Sequence, residues 1–282
     1  MRILITGAGG QVGHALVAAC AADDTTAADH RLLDVADRDA VLAAVTSLQP
    51  DAVLHTAAWT AVDACEADPD RAFAVNALGT RNVAEAAGHV GAHLLYCSTD
   101  YVFDGAKESP YLEWDPPNPQ SVYGRSKLAG ELEAHGLPGS TIVRLSWVCG
   151  EHGANMVKTV LRLASERDEL AFVDDQRGHP TFAESVAPLI RRLVGERRPG
   201  LFHVTNQGVV SWFDFARAVF EAAGLDEGRI RPIATAELDP PRPAPRPVNS
   251  VLDNAALRLG GVPLAPDFHA PLQQLVDRLT HT

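Results

Sequence analysis

RILIT, residues 2–6, runs directly into Gly7, Gly10 and Gly13 and from there into VGHALVAACA, a stretch of helical character. A strand, a glycine turn and a helix in immediate succession restrict the fold more than any other feature of the chain. Glycines at such a turn let the backbone approach a pyrophosphate closely. The helix behind them offers unpaired N–H groups and a partial positive charge. The placement at a strand-to-helix junction predicts a dinucleotide site built on an α/β fold.

The rest of the first half repeats the alternation. DAVLHTA is followed by the helical run DRAFAVNALGTRNVAEAAGHVG, and AHLLYCST leads on to STIVRLSWV. That order is the signature of a Rossmann-type, doubly wound parallel sheet with helices on both faces, which binds ligands at the carboxyl ends of its strands. Beyond residue 150 the pattern loosens. NMVKTVLRLASERDEL and SWFDFARAVFEAAG read as amphipathic helices, the second capped by Ser211, and the proline-rich residues 239–250 read as an extended connector. The expected organisation is a nucleotide-binding domain over residues 1–149 and a smaller, mainly substrate-binding domain over 150–282, with some segments returning to the sheet.

Thirty-six acidic against 24 basic residues leave a net charge of −12. That field argues against nucleic acid and anionic membranes as partners, so an anionic ligand must be captured locally. The four cysteines are scattered without a CxxC pair, which predicts reduced structural thiols. MRILITGAGG has the pattern of neither a signal peptide nor an anchor, and a cytoplasmic protein is expected.

Several side chains carry chemistry. Asp29, 16 residues past Gly13, falls near the end of the second strand, where a carboxylate accepts from the adenosine ribose hydroxyls. Alone it favours NADH, but His30 and Arg31 follow it and suit the extra phosphate of NADPH, so the preference stays open. Asp34 either bonds the adenine amino group, with Val35 packing on the ring, or caps the next helix. Ala57 and Ala58 are small enough for close passage of a cofactor, with Trp59 beside them. Tyr123 and Lys127, spaced i, i+4, project from one helical face. In carbonyl reduction such a phenol protonates the oxygen as hydride reaches the carbon, and the ammonium lowers its pKa. The strand ending in Ser98 and Thr99 offers a hydroxyl to orient the carbonyl; alternation does not decide which of the two. Arg246, on the connector with Arg242, suits a substrate diphosphate, the alternative being an exposed loop arginine.

The G-x-x-G-x-x-G spacing resembles that of extended short-chain dehydrogenases/reductases. With STDYVFDG, VYGRSKLAGE, RLSWVCG, DDQRGHPT and RPVNSVLD in order along the chain, the sequence resembles the dTDP-4-dehydrorhamnose reductase family. The resemblance implies NAD(P)H-dependent reduction of the C4 ketone of a nucleotide-linked 4-keto-6-deoxyhexose. It implies Thr99 as the hydroxyl partner, Tyr123 as the acid and Lys127 beside it, with Asp100 and Trp147 against the sugar. It also places Gly7, Gly10, Gln11 and Val12 along the pyrophosphate and Ala57, Ala58 and Trp59 near the nicotinamide. Cys149, Met156 and Trp59 depart from the family's pattern, and each is expected to border the sugar pocket. Some members bridge a homodimer through Mg2+ held by glutamates; Glu184 matches one of these, and no second ligand is apparent. Related dehydratases carry a glutamate after the aspartate, where this chain has Tyr101, which argues against elimination. A sugar-nucleotide epimerase, or a regulatory subunit like that of methionine adenosyltransferase, is the remaining alternative.

Overall fold

A computed structural model describes residues 1–280. The N-terminal half contains β1 (Arg2–Thr6), α1 (Gln11–Ala19), β2 (Asp24–Ala28), α2 (Arg38–Leu48), β3 (Ala52–His55), α3 (Val62–Ala67) and α4 (Pro69–Phe73). A π-helical turn (Ala74–Leu78), α5 (Gly79–Val90), β4 (His93–Thr99), α6 (Val122–His135) and β5 (Thr141–Leu145) complete it. There follow β6 (Val148–Cys149), α7 (Met156–Glu166), β7 (Leu170–Val173), β8 (Arg177–Gly178), β9 (Thr181–Phe182), α8 (Ala183–Gly195) and β10 (Gly200–His203). The chain then forms β11 (Val210–Ser211), α9 (Trp212–Ala222), β12 (Ile230–Ile233), α10 (Ala255–Leu259) and α11 (His269–Thr280).

Six strands form one parallel sheet in the order β10-β5-β4-β3-β1-β2. The run Ile3-Leu4-Ile5 is apolar at every position because helices cover both faces. Ile3 and Ile5 pack with Leu16 of α1 and with Val186 and Ile190 of α8 on one face. Leu4 packs on the other with Val41 of α2 and Val83 of α5. Strand order reverses between β1 and β3, and the crevice opened there is where such sheets bind ligands. The sixth strand, β10, and helix α8 come from residues beyond 180.

A separate core joins Val157 and Val160 of α7, Phe215 and Phe220 of α9, and Leu272 and Leu275 of α11. The parallel pair of β7 and β12 lies beside it. Helix α7 is capped by Asn155, which accepts from Lys158 N. It ends at Glu166, earlier than its periodicity predicts, because Leu170–Val173 pairs with Ile230–Ile233 as a strand. Ser211 caps α9 as expected, accepting from Asp214 N at 3.0 Å. The proline-rich connector is free of helix; its Asn249 forms a parallel bridge with Arg177.

Candidate active site

The glycine turn is set by contacts that admit no side chain. Gly7 has φ +70°, and a Cβ there would lie 2.5 Å from Ala57 N; a Cβ on Gly13 would collide with Gly7 O. Gly9 and Gly10 face a cleft of about 1440 Å³. That exceeds the roughly 300–1,000 Å³ of a pocket for one small ligand and leaves room for two. The cleft runs from the N-terminus of α1 past the ends of β2, β3 and β4 to α9 and the connector.

Along the arm of the cleft beside the glycine turn lie Gly7, Gly10, Gln11, Val12, Asp29, Asp34 and Val35. Asp29 Oδ1 accepts from Leu32 N and Arg31 N, and these bonds hold its carboxyl below the usual range. Asp34 accepts from Ala36 N, while the cap of α2 is Asp37; the capping role considered for Asp34 belongs to its neighbour three residues on. Gln11 is a tether as well as a wall. It donates to Val148 O and Ala154 O and accepts from Asn155 Nδ2, tying the glycine turn to the loop before α7.

At the centre Ala57, Ala58 and Trp59 meet Thr99, Asp100, Tyr123 and Lys127. Ser121 caps α6, which places Tyr123 in its first turn and Lys127 one turn later. Gly124 lets that helix lie against the carbonyl of Tyr101, where a Cβ would collide. Burial pushes the Tyr123 phenol well above its ordinary value, opposed in part by the nearby Thr99 hydroxyl. Lys127 donates to Cys97 O at 2.6 Å and sits over the Tyr96 ring, and burial pulls it down to about 8.

Of the two candidate hydroxyls, Thr99 faces the phenol. It donates to Asp100 Oδ1 at 3.0 Å and accepts from Tyr101 N, whereas Ser98 Oγ is buried without a partner. Asp100 is 1% exposed and also accepts from Ser146 at 2.9 Å. Burial pushes its carboxyl up to about 6 against the lowering effect of Ser250, Ser146 and Thr99.

The far wall carries Trp147, whose φ of +43° is left-handed for a residue with a side chain. Strain of that kind, about 1–3 kcal/mol, persists only where the surroundings impose it. Here the indole stacks on Trp212 at 3.5 Å and 8°, and a Cβ on Gly178 would lie 2.5 Å from it. Arg246 is neither exposed nor free. Its Nη2 donates to Asp63 Oδ2 at 2.7 Å, and its side chain is 8% exposed.

Not all expected neighbours reach the cleft. Cys149 and Met156 lie outside its lining and pack in the α7–α9 core. Glu184 accepts from Glu151 N, and among the described residues no group of three His, Cys, Asp or Glu is placed to hold a metal. All four cysteines are buried and free. No helix among the described residues is long and apolar enough to cross a membrane.

Four contributors escape the sequence reading. Asn76, in the π-helical turn, accepts from Trp59 N at 2.8 Å and donates to Trp59 O and Ser126 Oγ, clamping the β3 loop to the helix of Tyr123. Arg71 lies over the Trp59 ring at 4.5 Å. Trp212 and Ser146 complete the far wall and the Asp100 network. A π-turn inside a helical run is a cue to Asn76, since such bulges concentrate at functional sites.

Comparison with known proteins agrees with this geometry. A family described as "RmlD substrate binding domain" matches residues 1–281. A dTDP-4-dehydrorhamnose reductase of Sinorhizobium fredii is 41% identical, covering 98% of this chain and 97% of its own. The crystal structure of a dTDP-4-dehydrorhamnose reductase from Clostridium acetobutylicum superposes with a TM-score of 0.95 at 39% identity, covering 99% of both chains. That of a dTDP-4-dehydrorhamnose reductase from Bacillus anthracis, in complex with NADP, gives 0.94 at 38% identity, covering 98% of this chain and 99% of its own. The chain belongs to the dTDP-4-dehydrorhamnose reductase family.

Proposed function

We propose that this protein uses NADPH or NADH to reduce the C4 ketone of a nucleotide-linked 4-keto-6-deoxyhexose, most simply dTDP-4-dehydrorhamnose or a close relative. One observation carries the reading: Thr99, Tyr123 and Lys127 converge in the same cleft as the Gly7–Gly13 turn. The residues fit a nicotinamide dinucleotide. Gly9 and Gly10 leave backbone open at the N-terminus of α1, and Asp29 and Arg31 flank the end of β2. When bound, that group supplies hydride. The chain's own part is to hold the sugar ketone beside Tyr123 and to deliver a proton from its phenol.

In this reading residues 1–149 bind the dinucleotide and 150–282 mainly the sugar nucleotide; residues 281 and 282 lie outside those described. Trp147 and Trp212 line the sugar side, and Arg242 is the connector cation available to a diphosphate. The NADP complex of the Bacillus anthracis relative supports a dinucleotide, and Asp29 beside Arg31 suits either form. The test is to incubate the protein with a dTDP-4-keto-6-deoxyhexose and NADPH or NADH and identify the product by mass. A sugar nucleotide two mass units heavier is expected. An isomer of unchanged mass supports an epimerase instead, and no turnover with any such sugar supports a regulatory subunit.

A further inference from the structure

Gln11 is the first residue of α1, directly behind the glycine turn, yet its side chain bonds to the loop between β6 and α7. Both N–H bonds of its amide are used there. Nε2 donates to Val148 O and to Ala154 O, each at 3.3 Å, and Oε1 accepts from Asn155 Nδ2 at 3.0 Å. Carbonyls on one side and an amide donor on the other fix which way the group points, since turning it over would set oxygen against oxygen. These partners lie 137, 143 and 144 residues away along the chain.

The loop is shaped around this side chain. Gly153 has φ +70°, and a Cβ there would come within 3.2 Å of Gln11 Cγ. Asn155, 9% exposed, serves both sides: Nδ2 donates to Gln11 Oε1 and Gly150 O, while Oδ1 caps α7 by accepting from Lys158 N. Val148 directly follows Trp147, which stacks on Trp212 of α9. A run of contacts thus joins the N-terminus of α1 to the far wall, and Gln11, Trp147, Val148, Asn155 and Trp212 all line the cleft between. The same loop also touches α1 one turn on, where His152 stacks on His14 at 3.9 Å, outside that lining.

On the reductase reading above, the two arms of the cleft must hold their ligands at a fixed separation. Reacting atoms have to come within about 3–3.5 Å, and an error near 1 Å costs about 10²-fold in rate. We propose that Gln11 is the positioning residue that sets this separation. Its amide braces the wall of the sugar-nucleotide arm against the turn that holds the dinucleotide, and it acts on the chemical step rather than on the affinity of either ligand. The backbone N–H groups at the start of α1, which serve the pyrophosphate, are independent of the side chain.

The test uses two variants of the full chain. Gln11→Met keeps the length of the side chain and removes all three bonds; Asn155→Ser keeps a capping hydroxyl for α7 and removes the donor to Gln11. With NADPH and a dTDP-4-keto-6-deoxyhexose both saturating, kcat in Gln11→Met is expected to fall by about 10- to 100-fold, and in Asn155→Ser by less. The Kd for NADPH and the KM for the sugar nucleotide should stay close to the wild type's. NADPH carrying deuterium at the transferred position should show an isotope effect on kcat no smaller than in the wild type, because hydride transfer is the step slowed. In the ligand-free protein, amide hydrogen exchange over residues 150–156 should be faster in both variants. A normal kcat in Gln11→Met, a loss confined to Kd or KM, a diminished isotope effect or unchanged exchange overturns the brace. Should Gln11→Met fail to fold, Asn155→Ser decides by the same readings. A wild type inactive on every such sugar overturns the reductase reading instead, and the exchange comparison then still decides the brace.

Discussion

A phenol that is to protonate a ketone must keep its proton until the substrate arrives, and the burial of Tyr123 does this by raising its pKa. The pair Tyr123 and Lys127 is legible in the sequence because i, i+4 spacing on a helix is local. The state of each is not, because it depends on Thr99 and Cys97, brought in by β4 from outside the helix. Asn76 was illegible for the same reason: its partners are the backbone of Trp59 and the hydroxyl of Ser126, 17 and 50 residues away. Arg246 shows the converse, since a cation suited to a phosphate is already paired with Asp63. Beside the glycine turn, Leu32 N and Arg31 N both bond Asp29 Oδ1, which leaves Oδ2 for the ribose in the proposed reading. Asp29→Ala is therefore expected to raise the Kd of NADH more than that of NADPH, measured by fluorescence titration. Equal losses remove Asp29 from the site.

Helices and strands set by their own periodicity were predictable, and those set by distant pairing were not. The strands around Gly7 and Thr99 fall where their apolar runs place them, because both faces of the sheet are buried. Helix α7 stops short for want of a local signal, as β7 owes its strand state to β12, 60 residues on. The single helix expected over residues 70–91 is interrupted by the π-helical turn that turns Asn76 inward. Helix α6 is fastened to the sheet by Glu131, which bonds Arg144 of β5 through both oxygens at 2.8 and 2.7 Å, with both side chains buried. Removing one partner leaves an uncompensated buried charge, so Glu131→Ala should cost about 3–5 kcal/mol in urea unfolding. A loss under about 1 kcal/mol would show that the pair does not anchor α6.

The molecule as a whole carries −12, yet the cleft is lined by Arg31, Arg71, Lys127, Arg242 and Arg246 against Asp29, Asp34 and Asp100. The cleft thus carries more cationic than acidic side chains in an acidic protein, although Arg246 is already paired with Asp63. Buried histidines add a pH limit to stability. Burial holds His55 and His203 down to about 3, while the unfolded chain protonates them below about 6.5. Stability is complete above that value and declines as pH falls from about 6.5 toward 3, because only the unfolded state takes up the protons. Asp100 opposes this between about 6 and 4, as one group against two. The urea midpoint should therefore be lower at pH 5 than at pH 7.5, and an equal or higher midpoint contradicts the burial of neutral histidines. The most direct test of the proposed chemistry compares Tyr123→Phe with the wild type in NADPH oxidation driven by a dTDP-4-keto-6-deoxyhexose. The account predicts a kcat lowered by about 10²–10⁴-fold with the Kd for NADPH unchanged, and near-normal turnover in that variant would contradict it.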